Sequence, residues 1–352
     1  MVEKKPLKGR GTPDNPPNRF EIISYAPDPE TQTEDIPAPV TQLLRDPTRT
    51  ILTRNDSPDV GFAVSLNPYR GCEHGCPYCY ARPTHEWLGF SSGLDFETRI
   101  LVKEDAPRLL EKALAAPSWQ PRTIALSGVT DPYQPVERKL QLTRRCLEVL
   151  VAWRNPVAIV TKNALVTRDC DLLAELARVN GAAVFVSVTT LDTHLARIME
   201  PRASAPARRL AAITLLTQAG IPVGVMVAPI IPGLTDHEIP AIISAATQAG
   251  ARFAGHTIVR LPYSVKDLFG QWLETHYPER KNKVLNRIRA TRGGKLNNSQ
   301  WHQRMRGEGI FADSIHTLFA AACRKAGLPT SGLSLSTAAF RRPDDERQLS
   351  LF

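Results

Sequence analysis

From about residue 62 to residue 262, apolar residues fall in short runs separated by longer amphipathic stretches. The runs at 62–66, 98–102, 123–126, 157–160, 183–188, 223–227 and 256–261 are brief, and several are rich in β-branched residues, as in buried strands of a parallel sheet. Between them apolar positions recur with a helical period, over 106–115, 143–153, 171–179, 205–219 and 238–249. Gly220 and Gly250 stand where two of these helices should end in a left-handed cap. Alternating strand and helix predict an α/β fold around a parallel sheet. About 200 residues in some six units suit a partial (β/α)6 barrel of the TIM type rather than a full eightfold one.

The pattern changes at both ends. Residues 1–58 hold ten of the 29 prolines and show no sustained period, which predicts an extended or disordered segment that wraps the surface. Residues 59–265 would form the barrel, 266–330 a helical and basic C-terminal extension interrupted at Gly293-Gly294, and 331–352 a tail. The longest apolar stretch, 221–234, contains three prolines and is too short for a bilayer span, and the first ten residues lack an apolar leader region. These features predict a cytoplasmic protein without a membrane partner.

Charge adds a partner to this picture. The chain of 352 residues carries a net charge of +9, and nine of its 44 Lys and Arg lie in 280–306, where there is no Asp or Glu. Without that segment the chain would be neutral. So local an excess predicts a nucleic acid, with phosphate contacts from Arg287, Arg289, Arg292, Lys295, Arg304 and Arg306 and base stacking on Trp301. The plainer reading of a charge run is a solvated helix face.

Cysteine adds candidate chemistry. Six cysteines do not make a disulfide framework in a chain of this length, and Cys146, Cys170 and Cys323 are scattered. Cys72, Cys76 and Cys79, however, form a C-x3-C-x2-C triplet. Gly71, Gly75 and Pro77 oppose a helix there and allow a loop that turns three thiolates toward one point. Three thiolates can hold three irons of a [4Fe–4S] cube and leave the fourth iron open. The alternative is a structural zinc completed by His74 or His85, in a nucleic-acid-binding module without catalysis.

This triplet after the first strand, with Tyr78 before its last cysteine, resembles the radical S-adenosylmethionine (radical SAM) superfamily. The resemblance implies a partial (β/α)6 barrel, a [4Fe–4S] cluster on Cys72, Cys76 and Cys79, and SAM chelating the open iron with Tyr78 beside it. It also implies cleavage of SAM to a 5′-deoxyadenosyl radical, and an electron donor such as flavodoxin or ferredoxin. Ligands of such barrels gather at the C-terminal strand ends. Gly128, Thr130 and Asp131 at one end would meet the SAM amino group, and 228–233 would flank the adenine.

Over 60–265 the chain is similar to the spore photoproduct lyase-like group, also described as DNA repair photolyases. Thr130-Asp131-Pro132-Tyr133-Gln134-Pro135, Thr161-Lys162 and Ser187 carry the likeness. It implies that Lys162 contacts the SAM carboxylate, Ser187 a ribose hydroxyl, and that Tyr80 takes part in radical transfer. One departure is chemical. The group's hydrogen-donating cysteine is replaced by Val129, which has no thiol hydrogen to give, and Cys146 and Cys170 suit small core positions better. Another radical reaction on DNA, a lesion repair or a base modification, is therefore expected, with RNA or protein as the alternative substrate. The chain ends in Gln348-Leu349-Ser350-Leu351-Phe352 after a charged tether, which resembles a bacterial sliding-clamp-binding peptide and implies that clamp as a partner.

Overall fold

The computed structural model of the chain describes residues 6–21, 39–330 and 333–343. Among these residues there are ten strands: β1 (Gln42–Arg45), β2 (Leu52–Arg54), β3 (Val64–Leu66), β4 (Tyr69–Arg70), β5 (Arg99–Val102), β6 (Ile124–Leu126), β7 (Val157–Thr161), β8 (Ala182–Ser187), β9 (Val223–Ile230) and β10 (Phe253–Ile258). β3, β6, β7, β8, β9 and β10 pair in parallel in that order, and β2 joins antiparallel at the β3 edge. These six parallel strands are the partial barrel that the sequence predicts.

Two expectations change. The apolar run at 98–102 becomes β5, which lies outside the barrel in a three-stranded sheet of order β1-β5-β4. Its apolar pattern is that of any buried strand, so periodicity could not tell which sheet it joins. The segment before residue 58, predicted without regular structure, supplies β1 and β2, and its residues 6–21 lie against the loop that follows β4. Three- and four-residue strands on a sheet edge leave too short a period to register in a sequence rich in proline.

Helices cover the outer face of the barrel. Val64, Ile124, Ile159, Val184 and Val225 pack against Leu110, Leu147, Leu173, Leu216 and Ile243 in one continuous core. Proline sits in the first turn of the helices Ala106–Ala115, Pro206–Gln218 and Ile239–Gln248, where its missing N–H costs nothing. Gly220 and Gly250 end the last two with φ of +79° and +103°. Phe185, Gly224 and Phe253 share one row across β8, β9 and β10. A Cβ on Gly224 would lie 2.0 Å from the Phe253 ring, so only glycine lets that ring meet Phe185 there, at 4.8 Å between centroids.

The C-terminal extension consists of the helices Val265–His276, Pro278–Ala290 and Ile310–Ala326 with a turn-rich stretch between the last two. That stretch returns to the open side of the barrel. Met305 accepts from the Ile258 N–H at the β10 end, while Arg304 and the His302 N–H bind Asp59 in the loop between β2 and β3. The extension thus bridges the two edges of the unclosed sheet. No helix among the described residues is long and apolar enough to cross a membrane.

Candidate active site

The cysteine loop follows β4 and is held on every side. The Cys72 N–H donates to the Phe96 carbonyl at 2.9 Å, and Gln134 brackets the loop by accepting from the Glu73 N–H and donating to the Gly71 carbonyl. Arg82, fully buried, donates to the Cys76 carbonyl at 2.8 Å and pairs with buried Glu97. Gly71 and Gly75 turn the chain at φ of +81° and +72°. Gly75 is also enclosed: a Cβ there would come within 2.8 Å of a Glu97 oxygen. The loop is therefore a rigid turn set by glycines and buried hydrogen bonds, as its composition predicts.

All six cysteines are free thiols. Cys79 packs against Cys72, Ala81 and Phe96 on one side and against the apolar cluster holding Cys76 and Tyr78 on the other, which brings the triplet together. Burial raises the pKa of all three thiols, while Arg82 and Lys162 draw Cys79 the other way. Loading iron onto such thiols would release protons. Among the described residues no three His, Cys, Asp or Glu side chains are arranged for a single metal ion. Of the two histidines of the zinc alternative, His74 is engaged at both ring nitrogens and His85 at one, its Nδ1 having no hydrogen-bond partner among the described residues. His85 Nε2 meets the Arg99 carbonyl, and His74 lies between Asn163 and Asp131. Three clustered thiols without disulfide partners, Cys72 and Cys76 buried and Cys79 half-buried, fit a cube, which takes its ligands around a body of four irons.

Above the loop, the strand ends supply a charged network. Lys162, just past β7, directs its ammonium at Ser187 Oγ (2.8 Å), Thr189 Oγ1 (2.9 Å), the Ala228 carbonyl (2.8 Å) and a Glu200 oxygen (3.1 Å). Glu200 also accepts from the Tyr78 and Thr189 hydroxyls and pairs with buried Arg209. Burial alone would raise Glu200, yet Arg209 and Lys162 hold it well below the usual carboxylate range. Tyr78, Lys162 and Ser187 thus meet in one place. Lys162 is already surrounded by oxygen acceptors, so a ligand carboxylate reaching it would exchange with one of them.

The end of β6 is also committed to protein contacts. Asp131 accepts from Thr161 Oγ1 and the Lys162 N–H, both at 2.7 Å, and from the Tyr133 N–H. The Thr130 hydroxyl donates to the Tyr69 carbonyl at 3.3 Å. Gly128, at φ +110°, offers its carbonyl to the Tyr80 hydroxyl at 2.6 Å. Tyr80 is 44% exposed and Val129 beside it 38%, so this corner opens to solvent while Tyr78 is closed in. The Arg260 guanidinium lies 4.4 Å above the Tyr80 ring. Among the described residues it has no hydrogen-bond or ion-pair partner, and burial lowers its pKa.

The basic segment divides. Arg292 is 1% exposed and donates to the carbonyls of Ile258, Val259, Gln303 and Arg304, so it is a structural brace and no phosphate contact. Arg304 is bound to Asp59 and Ser57, and Arg287 reaches Asp236 at 3.4 Å and lies over Phe311. These arginines share a cause: their partners come from residues 57–59, from 236 and from backbone carbonyls at 258–259 and 303–304, most of them remote in sequence. Lys295, Arg306 and Trp301 are exposed, Trp301 at 54%, while Arg289 is half-buried and donates to Asn286 Oδ1. The terminal peptide 348–352 lies outside the described residues.

Glu200, Arg209, Thr189 and Arg260 escaped the sequence reading. Glu200 follows the helix Thr193–Met199, at no strand end, and its partners lie 9 to 122 positions away. Thr189 and Arg260, each two residues past a barrel strand, stand where barrel topology alone would have drawn attention.

The family model described as Radical SAM superfamily matches residues 66–246, slightly more than half of the chain. An uncharacterised protein of Mycobacterium tuberculosis is 40% identical over 222 residues, which cover 62% of this chain and 65% of that one. An uncharacterised protein of Methanocaldococcus jannaschii is 29% identical over 227 residues, covering 64% and 81%. The chain spans less than two thirds of the mycobacterial relative. Among solved structures, a spore photoproduct lyase variant with bound AdoMet and dinucleoside spore photoproduct superposes with a TM-score of 0.60. It is 16% identical, over 83% of this chain and 82% of that one. A second, spore photoproduct lyase complexed with the dinucleoside photoproduct, gives 0.59 at 17% identity over 80% and 79%. At such identities the likeness is one of fold.

Proposed function

The chain belongs to the radical SAM superfamily, and from that premise we propose that this radical SAM enzyme acts on DNA, repairing a lesion or modifying a base. The family's cofactors are a [4Fe–4S] cluster and SAM, which together supply a 5′-deoxyadenosyl radical for hydrogen abstraction. Cys72, Cys76 and Cys79 would hold the cluster. Tyr78, Lys162 and Ser187 would line the SAM side of the pocket, with Glu200 and Arg209 fixing Lys162 in position. Gly128 holds the Tyr80 phenol at the open corner, where it can pass a hydrogen atom to or from a substrate in contact with solvent. Val129 cannot do so.

One observation carries the substrate reading. Arg260 presents, at the mouth of the barrel and against the half-exposed Tyr80, a guanidinium that among the described residues is hydrogen-bonded to no acid and feels Asp59 only as a more distant charge. A withdrawn guanidinium without an anion is stabilised by one that arrives with the substrate, and a phosphodiester offers two oxygens to its planar fork. Exposed Lys295, Arg306 and Trp301 add positive charge and a stacking surface on the same extension. A relative of similar fold is seen with a dinucleoside photoproduct, which supports the same substrate class. The test is 5′-deoxyadenosine release by the anaerobically reconstituted, reduced protein with intact DNA, ultraviolet-irradiated DNA or RNA. Stimulation by irradiated DNA supports lesion repair, and equal stimulation by intact DNA supports base modification. Release that responds only to RNA, or to no nucleic acid, overturns the DNA reading.

A further inference from the structure

On the outer side of the barrel the chain encloses a cavity of about 520 Å³, in the size range of small-molecule sites. One wall is the helix Pro206–Gln218, where Arg208, Ala211, Ala212 and Leu215 fall on a single face. Ile213 and Leu216 of that helix turn the other way, into the barrel core. The facing wall is the short helical turn Ala164–Asp169, with Leu165 and Arg168, and the short helix Glu137–Leu140 adds Arg138. The cavity therefore lies behind the strand ends, and Tyr78, Lys162, Ser187 and Glu200 do not line it.

Depth sorts the chemistry of this cavity. Arg138, Arg208, Ala211 and Leu215 are exposed and form the rim, while Asn163 and Ala212 are buried at the floor. No carboxylate is among the lining residues. Arg168 is neutralised by buried Glu137 and Asp169, so it braces the wall and is not free for a ligand. The side chains of Arg138 and Arg208 have no hydrogen-bond or ion-pair partner among the described residues. At the floor, Asn163 is only 3% exposed, and its Oδ1 accepts from the Leu165 N–H and the Ser204 hydroxyl. Its Nδ2 carries two hydrogens. His74 Nε2, at 3.3 Å, takes one, and the other has no acceptor among the described residues. A buried donor left without an acceptor is costly, and an acceptor that arrives with a ligand removes that cost.

We propose that this cavity is a binding site for a nucleoside monophosphate, separate from the cofactor pocket. The flat base enters between Leu165 and the alanine face of the helix, which cover its apolar faces. A ring nitrogen or carbonyl of the base accepts the unused Asn163 N–H. The phosphate stays at the rim between Arg138 and Arg208, whose planar forks match its oxygens. Inorganic phosphate would leave the apolar walls and the Asn163 donor unserved, and a nucleoside would leave both guanidinium groups without an anion. A phosphodiester strand crossing the rim would not reach the floor. The inference does not rest on the DNA reading, because none of the lining residues carries it.

The test is calorimetric titration of the full reconstituted chain with AMP and UMP as probes, in saturating SAM so that the cofactor pocket does not report. Adenosine, uridine and inorganic phosphate are titrated beside them. The variants are the double substitution Arg138→Ala, Arg208→Ala and the cavity-filling Ala211→Trp. All three positions are exposed, so circular dichroism and thermal midpoints should match the parent. The expected result is saturable binding of at least one nucleotide, weakened tenfold or more by either variant. The nucleosides and inorganic phosphate should each bind at least tenfold more weakly than that nucleotide. No nucleotide binding, equal affinity in parent and variants, or inorganic phosphate bound as tightly as the nucleotides overturns the site. None of these results bears on the radical SAM reading, which stands or falls on 5′-deoxyadenosine release.

Discussion

Arg260 and Arg292 lie close to the end of β10, both drawn away from water, in opposite surroundings. Arg292 has four carbonyl acceptors and joins β10 to the stretch at 303–304. Arg260 has the face of Tyr80 and no acceptor among the described residues. Burial lowers the pKa of both, Arg292 to about 10. Arg292 is compensated by hydrogen bonds at all but its Nε, whereas Arg260 has no hydrogen bond among the described residues and only the more distant charge of Asp59. Bound charge braces this molecule, and unbound charge is what the proposed substrate would meet. The same division runs through the whole basic segment, where Arg287, Arg292 and Arg304 brace and Lys295 and Arg306 face solvent.

The largest effect should come from breaking the buried network that both halves of the site depend on. Glu200→Gln leaves Lys162 and Arg209 without their shared anion, and unfolding should lose about 3–5 kcal/mol in denaturant titration. Next, Arg292→Ala strands buried carbonyls and should cost roughly 2–3 kcal/mol in the same titration, with the salt dependence of DNA binding unchanged. Arg260→Ala should do the reverse. Stability should stay within about 0.5 kcal/mol, and DNA-stimulated 5′-deoxyadenosine release should fall by about tenfold, the equivalent of 1.4 kcal/mol. Equal behaviour of the two variants would erase the distinction.

A smaller effect concerns pH. Burial, with His316 and Arg306 nearby, lowers His256 to about 4, and burial lowers His85 to about 4 as well. Both then stay neutral in the fold while the unfolded chain takes up protons below the ordinary histidine pKa of about 6.5. Their contribution is complete above pH 6.5 and is lost as pH falls from there through about 4. Thermal midpoints should decline across that window, and His256→Gln should flatten the decline. Smallest of all, Lys295→Ala should reduce the slope of log affinity against log salt by about one and leave sequence preference and stability unchanged.

The order of strands and helices was legible because burying one face imposes a period, and the period is written in the chain. The helix-ending glycines at 220 and 250 and the cysteine loop were legible for a related reason: backbone turns and ligand spacing are local. The 98–102 strand was recognised and assigned to the wrong sheet, since a strand's apolar face does not name its neighbour. Among the basic residues, counting found the excess and could not find Asp59 or Asp236, which meet Arg304 and Arg287 only in three dimensions.

Sequence alone therefore determined the barrel class, the turn of the cysteine loop and the superfamily, each of which depends on periodicity or on residues within ten positions of one another. The tertiary structure decided the rest. It made Glu200 the centre of the buried network that holds Tyr78, Lys162 and Arg209, and Arg292 and Arg304 braces across the open barrel, and it left Arg260 over the Tyr80 ring without a hydrogen-bonded acceptor among the described residues. Electrostatic energy depends on distance and burial, and neither of those is a property of position along a chain.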